Sequence, residues 1–364
     1  MTRRRPQLAA LAIVSWLLGL AGSAGGHVVH ARPTLLSLVT GSDLVAHVKV
    51  LDPHASVALE ATGGRRPIVR VELREVIKGA GEPGRELRFA SHGHGVAEYV
   101  AGDEALVFLL PLARSRELAV LQETGLRWVS NQEHDSRYVL TPESRAGVLA
   151  AARGYAAAGR LPERQARVEM LRAITLTLLT SGDARLGASA VRDLVAAGDL
   201  PLVTQADVPR LLAEVVHSEN ASIGVRIGLL AELERRQLVD AAPVWQALLR
   251  STNRPDLLQV VRAAGRHPSP EVNATLVEML GREDAVAEAS ALALGDPAHA
   301  DSVPALAKAL QSDQPRVRMA AIRSLGLIAT PAAKDALEAA AGTHEDSATR
   351  RRAAAEVRNQ TRRP

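Results

Sequence analysis

Two hydrophobic periodicities divide the chain, and one gives way to the other near residue 140. Upstream, apolar and polar residues alternate. Val69-Arg70-Val71-Glu72-Leu73-Arg74 is the clearest stretch, and a period of two predicts a half-buried strand. Leu44–Val50 is rich in β-formers and follows the turn residues Gly41-Ser42-Asp43, which predicts a strand before it. Lys78-Gly79 and Gly81-Glu82-Pro83-Gly84 close the Val69 strand and lead into Glu86-Leu87-Arg88-Phe89. After the turn at Gly102-Asp103-Glu104, the run Ala105–Leu110 is apolar without alternation. That pattern predicts a central strand buried on both faces. Leu118–Leu121 and Leu126–Val129 predict a closing hairpin around Gly125.

Downstream the spacing becomes helical. Val303, Leu306, Ala307 and Leu310 recur at i, i+3, i+4 and i+7, and Asp313-Gln314-Pro315 interrupts them. Val317, Ala320, Ala321, Ser324, Leu325 and Ile328 repeat the spacing, with Pro315 where a first-turn proline is tolerated. The polar residue between paired helices recurs at Asn220, Asn253, Asp284, Asp313 and Asp346, at spacings of 33, 31, 29 and 33. Two helices per period of about 30 predict an α-solenoid. The register between residues 160 and 217 stays open. The expectation is an α+β multidomain chain: a small β domain over 33–140, then an α-α superhelical array over 145–364.

Both halves carry resemblances. Asp43-Leu44-Val45, then Val69, Val71, Val76 and Lys78-Gly79, then Gly102-Asp103-Glu104 with Leu106, Phe108 and Leu109 resembles a small OB-like or netrin-like β module of exported bacterial proteins. The resemblance implies a closed or nearly closed barrel of five or six strands, and no activity. His47 stands where that module commonly carries glycine. Pro315-Arg316-Val317-Arg318-Met319-Ala320-Ala321-Ile322-Arg323-Ser324-Leu325-Gly326 resembles the second helix of HEAT repeats, in the short variety also found in phycobilisome lyases. Val225-Arg226 keeps the Val-Arg pair, while the units after Asn253 and Asp284 lose the arginine.

Composition sharpens this picture in three places. Aromatic residues make up only 2% of the chain, so the core must be packed with Ala, Leu and Val. There are no cysteines, which excludes disulfides, thiolate metal sites and a lipoprotein anchor. Arg3-Arg4-Arg5, the apolar run Leu8–Ala21 and Gly22-Ser23-Ala24 form the pattern of a secretory signal peptide over 1–24. Cleavage is expected after Ala24, or else after Ala31. The apolar run is about 14 residues, short of the ~20 of a membrane span. Thr2-Arg3-Arg4 also fits the start of a twin-arginine signal, although Pro6 and Gln7 fall where that signal prefers apolar residues. Removing three arginines lowers the net charge of +4 to +1, so no nucleic-acid partner is expected.

Candidate chemistry is sparse. Seven of eleven histidines lie between positions 27 and 134: His27, His30, His47, His54, His92, His94 and His134. His92-Gly93-His94 offers two imidazoles for zinc or copper, short of the three or four ligands such a site needs. Asp103 and Glu104 are adjacent on a strand edge and point to opposite faces. The arginines Arg226, Arg318 and Arg351 read either as a patch for acidic groups or as structural ties, Asp313 to Arg318 and Asn220 to Arg226. Arg262 and Arg323 lie further along second helices and are the better candidates for binding.

The expectation is an exported, periplasmic or extracellular, non-catalytic protein. It would bind a protein partner through its array, with no cofactor and no stable membrane insertion after cleavage. One alternative is an enzyme or chromophore-handling protein related to phycobilisome lyases. Another is a metal-responsive exported protein using the N-terminal histidines.

Overall fold

The computed structural model describes residues 33–59, 65–90, 99–115, 118–131, 137–282 and 285–362. The expected signal peptide over 1–24, His27 and His30, the His92/His94 pair, His134 and Asp284 lie outside the described residues. The strands are β1 (Leu44–Asp52), β2 (Ser56–Ala58), β3 (Arg65–Lys78), β4 (Glu86–Ala90), β5 (Glu104–Pro111), β6 (Trp128–Ser130) and β7 (Arg137–Val139). β1 pairs with β3, β3 with β4, β4 with β6, β6 with β5, and β5 with β1 again, so five strands close into a ring. All ring pairings are antiparallel except β4–β6, which is parallel. This is an OB-like five-stranded barrel; β2 and β7 extend it on β3 and β5.

The expected hairpin around Gly125 is not formed. Ala119–Thr124 is a 3-10 helix that ends on Gly125 at φ 75°. β6 then leaves to pair with β4 and β5 instead of folding back on the preceding segment. The Leu118, Val120 and Leu121 side chains serve a satellite cluster with Leu112, Leu126 and Val129, which an alternation pattern does not distinguish from a strand.

β5 is buried on both faces, as its apolar run predicts. Ala105, Val107 and Leu109 point into the barrel with Leu44, Ala46 and Val48 of β1. Leu106 and Phe108, together with Val45 of β1 and Tyr138 of β7, point out of it and join the core of the helical region. Between the two sits helix α1 (Leu35–Gly41), absent from the sequence expectations. Thr34 caps it, and Leu35, Leu38 and Val39 are buried.

The helical region begins with α2 (Pro142–Arg160), α3 (Arg164–Leu179), α4 (Ala184–Ala196) and α5 (Val208–Leu211), the last continuing as a wide turn through Val216. It proceeds through α6 (Ile223–Arg235), α7 (Ala242–Ser251), α8 (Arg254–Ala264), α9 (Pro270–Met279) and α10 (Ala285–Ala293). It ends with α11 (Val303–Ala309), α12 (Pro315–Ile328), α13 (Pro331–Thr343) and α14 (Ser347–Arg362). Second helices contact one another in succession, from α4 through α6, α8, α10 and α12 to α14.

Glycine at one repeat position sets how closely they stack. A Cβ on Gly265 of the α8 end would lie 2.6 Å from the Ala293 Cβ of α10. One on Gly295 would lie 2.7 Å from Ser324 Oγ of α12. Ser324 Oγ in turn donates to the Ala291 carbonyl at 2.7 Å. Two buried histidines staple the stack further: His299 Nε2 donates to the Gly265 carbonyl at 2.9 Å and His344 Nε2 to the Leu310 carbonyl at 2.8 Å.

The arginine ties differ from expectation. Arg318 pairs with Asp346 of the following repeat at 3.2 Å, not with Asp313, and Arg226 donates to the Val216 carbonyl, not to Asn220. Arg350, and not Arg351, repeats the Arg318 role by donating to the His344 carbonyl at 2.5 Å. The expectation placed each tie within one repeat, whereas a long guanidinium stem spans the turn or reaches the next helix N-terminus. Asp346 accepts from the Thr349 hydroxyl and from backbone N–H groups as well as from Arg318, which holds its carboxyl well below the usual carboxylate range.

Barrel and array meet through charged and apolar contacts. Arg153 of α2 grips Glu75 of β3 with two bonds of 2.7 and 2.6 Å. Arg145 reaches Glu104 at 2.6 Å, and Glu104 also pairs with His47 at 3.2 Å. Arg185 of α4 donates to the Arg137 carbonyl at 2.6 Å and lies 3.6 Å over the Tyr138 ring. The α1 N-terminus docks on α4: Leu35 N donates to Ser189 Oγ at 2.8 Å. One turn on, Asp193 is buried beside Tyr155, and burial raises its carboxyl to about 6.

Two outcomes are expected. Leu325 is fully buried and Arg323 exposed on the same helix. Leu325→Ala should cost about 2–5 kcal/mol by leaving a cavity, and Arg323→Ala within about 0.5 kcal/mol; chemical denaturation compares them. Equal losses would put the helix face in the wrong place. The second concerns Asp193. Its folded pKa lies above the unfolded one, so its neutral form favours the fold, and stability is lost as pH rises through about 6. Between about pH 4.5 and about pH 7.5, Asp193→Asn should gain about 1–3 kcal/mol relative to wild type. A constant difference across that range would mean that Asp193 does not titrate in the folded core.

Candidate functional site

The second-helix layer presents a regular exposed surface whose chemistry is set by the repeat. Counting from the stacking glycines Gly265, Gly295 and Gly326, the residue three before is Arg262, Leu292 and Arg323. The residue one after is Arg266, Asp296 and Leu327. The three repeats contribute the pairs Arg262/Arg266, Leu292/Asp296 and Arg323/Leu327: Arg323 and Leu327 share one face of α12, while Arg266 and Asp296 lie just beyond the C-terminal ends of α8 and α10. All six side chains are exposed. Leu292 and Leu327 are 40% and 44% exposed, among the most exposed large apolar residues of the described chain.

Five of the six, Arg323 being the exception, line a groove of about 540 Å³ floored by Ala289, Ala293 and Gly295. The small residues that let α8, α10 and α12 approach thus also form its base. Asp296 is engaged: its carboxylate accepts from Ala298 N at 2.9 Å and caps the turn that follows. Arg262, Arg266 and Arg323 make no side-chain ion pair or hydrogen bond among the described residues. The groove therefore offers two guanidinium forks that make no ion pair among the described residues, with the single carboxylate of Asp296 and apolar surface beside them, a pairing that recognises carboxylates flanked by aliphatic groups.

Sequence reasoning placed Arg262 and Arg323 on second helices, and the structure puts both on this face. It missed Arg266, Leu292 and Leu327. Aligning the repeats on their glycines would have found Leu292, because an apolar residue there breaks the Arg262 and Arg323 series.

A second cleft, of about 590 Å³, runs across β2, β3 and β4. Its charges are largely answered within it: Arg70 grips Glu86 with two bonds of 2.8 Å, and Arg65 donates to Ser56 Oγ at 2.7 Å. Among the described residues, no group of three or more His, Asp or Glu side chains is placed to hold a metal ion. Likewise no described helix is long and apolar enough to cross a membrane.

The comparisons agree with this geometry. Residues 282–358 match the family model of HEAT repeats. The stacked two-layer array is a HEAT-like α-solenoid. The chain as described is thus a HEAT-like repeat protein with an N-terminal OB-like β-barrel. No curated protein matches the sequence. Among solved structures, an engineered protein is similar at 18% identity and a TM-score of 0.34, over 58% of this chain and 64% of that one. Human deoxyhypusine hydroxylase in complex with glycerol is similar at 22% identity and a TM-score of 0.31, over 61% of this chain and 84% of that one. Likenesses this distant carry no argument about chemistry.

Proposed function

We propose that the chain is an exported, non-catalytic scaffold, periplasmic or extracellular, that binds a protein partner on the second-helix face of its array. The observation that supports this reading is the surface formed by Arg262, Arg266, Leu292, Arg323 and Leu327. Two exposed leucines stand among three guanidiniums with no acidic partner among the described residues. Solenoids use such continuous faces for extended recognition. The matching partner surface is acidic with apolar side chains between its carboxylates.

Affinity capture from the native envelope fraction tests the reading. The immobilised full chain should retain a partner that the Arg262→Glu/Arg323→Glu variant releases, with affinity reduced at least about tenfold. Both positions are exposed, so the variant's melting temperature should stay close to wild type. Capture unaffected by the charge reversal would place the binding surface elsewhere.

A further inference from the structure

We propose that the polar pocket between the N-termini of α6 and α8 binds a small zwitterion of the amino-acid type. Its carboxylate would sit on the Arg226 guanidinium and its ammonium toward Glu219 and Asp256. The argument is an internal comparison between repeats. Arg226, Arg318 and Arg350 do one structural job: each donates to the carbonyl at the end of the preceding helix, Val216 at 2.8 Å, Ser312 at 2.8 Å and His344 at 2.5 Å. Arg318 then spends its remaining donors on the N-terminus of the next second helix. It meets the Asp346 carboxylate at 3.2 Å and the Thr349 hydroxyl at 3.0 Å.

At the corresponding place in front of Arg226 the N-cap of α8 is Asn253, a neutral amide. Arg226 is only 7% exposed, yet it makes no ion pair and no further hydrogen bond among the described residues. Its terminal nitrogens hold no hydrogen bond and are not sealed from solvent, so a carboxylate can reach them. Where Asp346 fills the space beside Arg318, a pocket of about 270 Å³ lies beside Arg226, lined also by His217, Glu219, Thr252, Asn253 and Asp256.

Further donors are unspent there. Thr252 Oγ1 is buried with no hydrogen-bond partner. Neither Ser222 nor Asn253 makes a side-chain cap bond to its own helix, so first-turn N–H groups of α6 and α8 remain for a ligand carboxylate. The two acidic residues decide the ligand class. Glu219 is exposed and Asp256 half-buried on the same lining. A bare dianion such as phosphate would meet both carboxylates, whereas a molecule with an ammonium beside its carboxylate satisfies Arg226 and the acids together. The volume suits a ligand of few heavy atoms rather than an extended one. The site is separate from the α8–α10–α12 groove, so its test is independent of the scaffold reading.

Isothermal titration of the full chain with glycine, L-alanine, L-serine and L-glutamate, with acetate and inorganic phosphate alongside, tests the proposal. At least one amino acid should bind with Kd of about 1 mM or tighter, and about tenfold more tightly than acetate or phosphate. Asn253→Asp restores the carboxylate that Asp346 gives Arg318. It should weaken that binding by about tenfold or more, with a melting temperature unchanged or raised. No amino-acid binding up to about 10 mM, tighter binding of acetate or phosphate, or full affinity in Asn253→Asp would each overturn it.

Discussion

The outer face of the strand β5 is the constraint on which the rest of the chain depends. A barrel strand normally sends alternate side chains to a core and to water. β5 sends Ala105, Val107 and Leu109 inward and Leu106 and Phe108 outward, and both sets are fully buried. The outward set needs a cover, which α1 and the array helices α2 and α4 supply. Leu35, Leu38 and Val39 of α1 lie in the same cluster as Leu106, Phe108, Tyr155, Leu186 and Ala190. The barrel and the start of the solenoid therefore share a core, and the polar contacts of Arg145, Arg153 and Arg185 surround it.

That shared core also closes one end of the solenoid. A repeat array is a stack in which each unit covers the next, and its end units need a polar outer face or another cover. Polar, arginine-rich α14 packs on α12 and α13. At the N-terminus the barrel and α1 take this place. The middle of the stack is then relieved of everything except stacking, which Gly265, Gly295 and Gly326 permit and the buried histidines fix. Side chains three before and one after each glycine are not needed for stacking, and they can vary in chemistry from repeat to repeat. The proposed binding surfaces arise from such variation: Leu292 between two arginines in one case, Asn253 in place of an aspartate in the other.

Much of this was legible in the sequence because it follows from periodicity. The Val69–Arg74 alternation located β3, the uninterrupted Ala105–Leu110 run announced a strand buried twice over, and the spacing from Asn220 to Asp346 gave the repeat. Features that depend on tertiary contacts were not legible. α1 is a short helix held by a capping box and by Ser189 more than a hundred residues away. The segment before Gly125 has apolar residues that suit a strand, but it curls into a 3-10 turn because its partners are Leu112 and Val129. The arginine ties were read to the wrong partners: Arg226 and Arg350 hold the carbonyl that ends the preceding helix, and Arg318 also reaches Asp346 of the next repeat, which only the stacked structure shows. Arg262 and Arg323 were legible as exposed second-helix residues, whereas the groove they border needed the three helices side by side.

Native-state hydrogen exchange on the Phe108→Ala variant tests the shared core most directly. Phe108 is fully buried, points out of the barrel and meets Tyr138 edge to face with ring centroids 6.1 Å apart. Truncation should cost about 3–5 kcal/mol. If barrel and array share one core, protection should fall together in β1, β5, α1, α2 and α4. Faster exchange confined to the barrel strands, with α2 and α4 unchanged, would contradict the account.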